Sequence, residues 1–201
     1  MTAHAFVYLA SQSPRRRQLL DQLGVQHQLL VPTAGAEAAA AEALEAVQLG
    51  ELPAAYVQRV TALKLQAART RLKARSLPWA PILCSDTTVA IGRRILGKPA
   101  DAGEARAMLQ ALSGRSHRVL TAVAVAAGPR KTLAALSVST VRFAPLDAAL
   151  ISAYIASGQP FGKAGAYAIQ SALAGWIARI AGSYSGIMGL PLYETTQLLR
   201  R

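Results

Sequence analysis

Apolar positions along the chain follow two rhythms, and their alternation predicts the architecture before any single residue is singled out. Short β-prone runs occur at 6–10, 25–31, 82–91, 95–96, 119–127 and 133–143. Between them, apolar residues recur at helical spacing. Leu19, Leu20 and Leu23 form one face behind a Ser13-Pro14 start, and Gly24 supplies the stop. Pro53 opens a long helix with Tyr56, Val57, Val60, Leu63 and Ala67 on one side. Asp101 and Glu104 make an acidic version of a capping box ahead of Ala105, Met108, Leu109 and Leu112, and Ser113-Gly114 ends that run. Asp147 caps a helix carrying Leu150, Ile151, Tyr154 and Ile155, ended by Gly158, and Pro191 begins a last one. The run at 119–127 is almost continuously apolar, as a strand buried on both faces requires, and Gly128-Pro129 turns the chain into 133–143. Strands alternating with helices, without an internal repeat, predict an α/β fold with a mixed central sheet flanked by helices. Residues 1–201 are expected to form a single domain.

Two kinds of stretch break the rhythm. The alanine-rich segment 35–46, with Glu37, Glu42 and Glu45, reads equally as a helix or a variable loop. FGKAGAYAIQ at 161–170 and GSYSGIMGLP at 182–191 are glycine-rich and are expected to place Lys163, Gln170 and Ser183 in loops. Single polar residues also stand where the pattern calls for apolar ones. Asp86 interrupts a strand-forming run, and burying an unpaired carboxylate costs several kcal/mol, so it must meet solvent, a cation or a ligand. Gly92-Arg93-Arg94 predicts a hairpin turn that returns Lys98 towards Asp86. A carboxylate and an ammonium in one cleft suit a metal-bound polyphosphate, and a surface salt bridge is the plainer alternative. Arg15 and Arg16 fall in the first turn of a helix, where the dipole disfavours cations unless an anion binds at the helix N-terminus. Lys64 lies beside the apolar face of the long helix, so it either snorkels or aims at a site.

Composition narrows the classes. No apolar run reaches the ~18–20 residues that span a bilayer, and Phe6–Ala10 preceding Arg15-Arg16-Arg17 is the wrong order for a signal peptide. A single cysteine, Cys84, fits a reducing compartment, so the expected location is cytoplasmic. The net charge of +12 points to an anionic partner, but no basic stretch is interleaved with aromatics in the manner of nucleic-acid binders, so nucleic acid is not the expected ligand. Arg69, Arg71, Lys73 and Arg75 read as a solvated helix face. His4, His27 and His117 have no zinc-ligand spacing. Ser11, Ser13 and Ser183 lack a nucleophile's setting and more naturally contact phosphate or cap turns.

Six segments in a fixed order, SQSPRR at 11–16, YVQRVTALK at 56–64, SDTTVAIGRRILGKP at 85–99, LSGRSHRVLT at 112–121, GKAGAYAIQ at 162–170 and GSYSGIMGLP at 182–191, resemble the Maf family of nucleoside triphosphate pyrophosphatases over nearly the whole chain. The resemblance implies a fold like that of inosine triphosphate pyrophosphatases with a cleft between two lobes. It implies a homodimer, and hydrolysis between the α- and β-phosphates with a divalent cation such as Mg²⁺, Mn²⁺ or Co²⁺. The family's proton-accepting carboxylate falls on Asp86, and its phosphate-binding residues fall on Arg16, Lys64 and Lys98, with Ser11 and Arg15 in the same loop and helix start. The family's acidic pair after the second strand is reduced here to Glu45, with Leu44 where an aspartate is usual, which leaves Asp86 and Glu45 as the expected metal ligands. Arg15, Thr87 and Gln170 match the subgroup acting on dTTP and UTP rather than the sister subgroup cleaving 7-methyl-GTP. The amide of Gln170 offers a donor and an acceptor to the edge of thymine or uracil. A nucleic-acid-binding or septum-regulating protein is the reading from a different class.

Overall fold

The computed structural model describes residues 5–200; His4 lies outside them. In chain order the strands are β1 (Val7–Leu9), β2 (His27–Leu29), β3 (Ile82–Ile91), β4 (Arg94–Leu96), β5 (Ser116–Ala126), β6 (Thr132–Phe143) and β7 (Ile177–Ala181). The helices are α1 (Pro14–Gln22), α2 (Ala36–Ala43), α3 (Pro53–Ala74), α4 (Ala102–Leu112), α5 (Ala148–Ala156), α6 (Tyr184–Met188) and α7 (Leu192–Leu199). The sheet runs β2-β1-β3-β5-β6-β7, parallel among β2, β1 and β3 and antiparallel from β3 onward, with β4 folded back on β3. The expected mixed α/β architecture is therefore present.

One feature of the register positions the site. On one side of β3, β1 pairs only with Ile82 and Leu83, and β4 begins pairing only at Val89. Between them the chain after β1 turns away into α1, and the middle of β3 has an open edge. Asp86 and Thr87 sit in that gap, while the other edge of β3 is paired throughout with β5. Crevices of this kind, beyond the carboxyl end of a parallel strand, are where open α/β sheets bind ligands.

The two faces of the sheet are covered by different helices. Tyr56, Val57, Val60, Leu65, Ala68 and Leu72 of α3 pack on one face against Ile82, Cys84, Ala90, Leu120 and Ala124. Leu19 and Leu20 of α1 and Leu198 of α7 cover Leu83, Val123 and Val125 on the other. Beyond the hairpin, α4 and α5 enclose a third cluster with Val89, Val119, Phe143 and Tyr167.

The caps behave largely as the sequence predicts. Asp101 Oδ1 accepts the Glu104 amide at 2.8 Å, Glu104 Oε2 accepts the Ala100 amide at 2.8 Å, and Asp147 Oδ1 accepts the Leu150 amide at 2.8 Å. Ser13 occupies the cap position of α1, but its side chain makes no capping hydrogen bond.

Of the two readings open for 35–46, the helix is present as α2. Several expectations are corrected. GSYSGIMGLP is not all loop. Its Ser183 hydroxyl accepts the Gly186 amide at 2.9 Å and starts α6. The strand expected over 25–31 is pared to His27–Leu29, the residues in ladder register with β1, with the Gln26 carbonyl and the Leu30 amide closing its two ends on Val7 and Leu9. Leu63 is exposed, since the buried stripe of α3 runs through Thr61, Leu65, Ala68 and Leu72 and turns residue 63 outward. The same stripe buries Arg71, so the basic run is a solvated face only in part, with Lys73 and Arg75 exposed. Arg71 donates to Glu37 Oε1 at 2.5 Å and to the Leu30 carbonyl at 3.2 Å, and Arg69 binds the carbonyls of Gly128 and Lys131. No helix among the described residues is long and apolar enough to cross a membrane.

Candidate active site

A cavity of about 870 Å³ opens at the bare edge of β3, bounded by α2 and α3 on one side and by the 162–170 segment and α6 on the other. Six basic side chains, Arg15, Arg16, Lys64, Arg71, Lys98 and Lys163, line it against three acidic ones, Glu42, Glu45 and Asp86. Successive residues of a strand point to opposite faces, and here the alternation divides the work. Asp86 points towards α3, where Lys64 Nζ donates to its Oδ1 at 2.5 Å. Thr87 points the other way and shares a 2.9 Å hydrogen bond with Thr121, its partner across β5.

Lys64 is placed at the centre by helical spacing, since position 64 lies on the buried stripe three residues beyond Thr61. Its ammonium bridges Asp86 and Glu45, reaching Glu45 Oε1 at 2.6 Å. Lys98 donates to the other oxygen of Glu45 at 2.6 Å. The hairpin thus returns Lys98 to Glu45, and Asp86 is linked to it only through the chain Asp86–Lys64–Glu45–Lys98. Burial alone would raise the carboxyl of Glu45, but the charges and hydrogen bonds of Lys64 and Lys98 outweigh it and hold the group below the usual range. Burial likewise works against the ammonium of Lys64, and Asp86 and Glu45 overcome it and raise its pKa. Tyr56 supports the arrangement from below. Its hydroxyl donates to the Glu45 carbonyl at 2.9 Å, and burial, followed by the two carboxylates, pushes that phenol up to about 12.

Arg16 crosses the opposite wall. Its guanidinium donates to the Gly189 carbonyl at 2.7 Å, to Ser11 Oγ at 3.0 Å and to Thr87 Oγ1 at 3.4 Å. Ser85 also donates to the Gly189 carbonyl, at 2.9 Å, so β3, α1 and the end of α6 meet at one atom. Gly189 has φ +117°, a backbone that favours glycine, and a side chain there would crowd Arg16. Arg15 makes no hydrogen bond or ion pair among the described residues. Burial and then Arg16 depress its pKa, and burial and then Arg15 depress that of Lys163 on the facing segment. Cations brought this close around one cavity are suited to an anion between them.

The structure therefore brings Ser11, Arg15, Arg16, Glu45, Lys64, Asp86, Thr87 and Lys98 to one cavity, with Gln170 exposed at its wall. Sequence reasoning gave no role to Lys163 or Tyr56. The glycines flanking Lys163 and the packing of Tyr56 on the apolar face of α3 were the available signals, and neither identifies a cavity without the fold.

A family model described as Maf-like protein matches residues 6–201. The chain belongs to the Maf family. Among curated Maf relatives it is 64% identical over 200 residues, covering 100% of this chain and 97% of the relative, to a protein of Polaromonas sp. named dTTP/UTP pyrophosphatase. It is 61% identical over 196 residues to a protein of Ralstonia nicotianae with the same name, covering 98% and 93% of the two chains. Among solved structures, a HAM1 protein from Coxiella burnetii superposes over 98% of this Maf chain and 99% of its own, with a TM-score of 0.51 at 16% identity. That likeness concerns the fold alone.

Proposed function

We propose that this Maf protein is a nucleotide pyrophosphatase that hydrolyses dTTP and UTP to the nucleoside monophosphate and pyrophosphate. The observation that carries the reading is the convergence of Arg15, Arg16, Lys64, Lys98 and Lys163, from four separate segments, around Asp86 in one cavity. The choice of nucleotide is supported by the names of the relatives at 58–64% identity.

In this mechanism Arg15, Arg16, Lys98 and Lys163 bind the triphosphate and offset the charge that builds on the departing pyrophosphate. Lys64 holds Asp86 in place through Oδ1. Oδ2, which takes no hydrogen bond from the described residues, orients the attacking water. Thr87 holds Arg16 in register through their 3.4 Å contact. The amide of Gln170 reads the donor–acceptor edge of the pyrimidine, because a mismatched base would leave a polar group unpaired.

A divalent cation belongs to this reading. No group of three or more His, Cys, Asp or Glu side chains is placed to hold an ion among the described residues. Asp86 and Glu45, two carboxylates on either side of Lys64 Nζ, fit Mg²⁺, Mn²⁺ or Co²⁺, a hard cation completing its shell with water and substrate phosphates. The pair supplies none of the nitrogen or sulfur donors on which zinc sites are mainly built. Bound there, the cation supplies Lewis-acid polarisation of the phosphoryl oxygen. The same reading takes residues 1–201 as one domain acting in the cytoplasm as a homodimer.

The test is a panel of dTTP, UTP, 7-methyl-GTP and dITP with Mg²⁺ or Mn²⁺, read by pyrophosphate release, with Asp86→Asn in parallel. The expected outcome is preference for dTTP and UTP and a loss of about 10³-fold in kcat for the variant, with substrate binding largely kept. Near-normal turnover by Asp86→Asn overturns the assignment of Asp86. Inert triphosphates with tight duplex-DNA binding overturn the enzyme reading altogether.

A further inference from the structure

The 162–170 segment carries Lys163 and Gln170 to the cavity, yet little regular structure supports it. Only Ala164–Ala166 form a single 3-10 turn. Within that turn Gly165 has φ +69° and Ala166 has φ +62°. Glycine tolerates this conformation, whereas a buried alanine held there is strained. Such a bend persists only where the surroundings hold it. On one side they do so by contact, since Gly165 donates to the Gly97 carbonyl at 3.0 Å and lies so close to Val89 that a Cβ would meet its side chain at 2.8 Å.

On the other side the anchor is Tyr167. Its ring sits edge-on to Phe143 at 4.9 Å and to His117 at 5.4 Å, and His117 stacks on Phe143 at 5.5 Å. At the bottom of this slot the Tyr167 hydroxyl and His117 Nε2 are 2.6 Å apart, both residues buried. Burial drives His117 down to about 4, so the imidazole is neutral at working pH and the hydrogen bond is uncharged throughout. His117 touches none of the cations of the cavity. A histidine in this position, paired with a tyrosine that itself lines the cavity, has no part in the phosphate chemistry described above.

We propose that the buried His117–Tyr167 pair positions the base-reading segment: it clamps the strained bend at 165–166 and fixes 168–170 against the cavity, so that it sets discrimination between bases rather than the rate of phosphate cleavage. The proposal rests on the pyrophosphatase reading for its kinetic part, and on the geometry alone for its structural part. His117 and Tyr167 are positioning residues, acting through Gln170. Of the side chains that grip the phosphates, Arg16 and Lys98 are held from α1 and the segment after β4 by hydrogen bonds that do not pass through the pair; Lys163 precedes the bend on the same segment, and any loss of its grip falls on both nucleotides alike and leaves their ratio unchanged.

The experiment compares the full-length protein with Tyr167→Phe, which keeps the ring and deletes the hydroxyl, and with His117→Gln, which keeps a donor and an acceptor near the same place. First, kcat and KM are measured for dTTP and dCTP, whose bases differ in the edge that Gln170 faces. Tyr167→Phe is expected to lower the dTTP/dCTP ratio of kcat/KM about five- to tenfold, as loss of one buried hydrogen bond implies. Its kcat for dTTP should change less than about twofold by the same reasoning, and His117→Gln should retain part of the discrimination. Second, amide hydrogen exchange is expected to quicken at 166–170 in Tyr167→Phe while β3 and β5 keep their protection. Unchanged discrimination with unchanged exchange overturns the proposal, and so does a uniform loss of turnover on both nucleotides. If the wild-type protein cleaves neither nucleotide, the pyrophosphatase reading has failed, and the exchange experiment still decides whether the pair clamps the segment.

Discussion

Removing the ammonium of Lys64 should destabilise the protein by an amount that the structure bounds. Lys64 Nζ lies 2.6 Å from Glu45 and 2.5 Å from Asp86, and the three side chains are 20%, 26% and 11% exposed. Lys64→Met leaves two carboxylates facing one another across the space the ammonium filled. Breaking a fully buried pair costs about 3–5 kcal/mol, and an exposed pair contributes about 0–1 kcal/mol. Partial exposure, and the Lys98 contact that Glu45 retains, place the loss near 2–3 kcal/mol on these scales. For a chain of this length each kcal/mol shifts Tm by about 2–4 °C, so a drop of about 4–12 °C is expected at neutral pH. Thermal melts of wild type, Lys64→Met and Lys64→Met/Glu45→Gln measure it. The double variant should recover part of the loss, because Asp86 no longer faces a second anion.

The pH dependence of that difference follows from the same contacts. Glu45 is held below its ordinary value of 4.5, so its stabilising effect is full above that pH and is lost as pH falls through the folded-state value. Lys64 is held above 10.5, so its effect is lost as pH rises past that range. The gap between wild type and variant should therefore narrow at both extremes. A Lys64→Met protein that melts within about 1 °C of wild type at pH 7 would refute the bridge as an energetic element.

Two other perturbations test separate parts of the site. Gly189→Ala puts a Cβ at φ +117°, a backbone that side-chain-bearing residues rarely adopt, and the strain falls on the carbonyl that anchors Arg16; KM for dTTP should rise about tenfold while kcat falls less, and an unchanged KM would show that Arg16 does not bind substrate. His117 has its pKa lowered from 6.5 to about 4, so the unfolded chain takes up a proton that the folded protein excludes, and stability should fall as pH drops from 6.5 towards 4 by at most about 3 kcal/mol. Melting curves of His117→Phe should lack that segment of the slope; an identical slope would assign it to other groups.

The chain's local chemistry made much of this legible. A nearly continuous apolar run marks β5 and an alternating one β6, Asp101 and Asp147 mark helix starts, and all follow from patterns within a few residues of each other. Arg15 and Arg16 at a helix start, and Asp86 in a strand, stood out because each violates a local preference, and a violation is readable without a partner. Arg71 and Leu63 were misjudged for the converse reason. A basic residue is expected to face water and a leucine the core, and only the rotation of α3 against the sheet shows that Glu37 and the Leu30 carbonyl wait for Arg71 inside. The short strand β7 and the α6 turn were likewise hidden, since their hydrogen bonds depend on β6 and on Ser139, far away in sequence.

Taken alone, the order of residues determined the strand–helix alternation, the family, and which side chains were out of place, because those properties depend on neighbours along the chain. Tertiary structure decided how those side chains meet. Arg16 reaches the Gly189 carbonyl across 173 positions, and Lys64 reaches Asp86 across 22. Whether they share a cavity depends on β1 ending at Leu9 and on β4 ending at Leu96 opposite Val89, leaving the middle of β3 unpaired on one side. That opening is a property of strand register, which long-range pairing sets and no local pattern encodes.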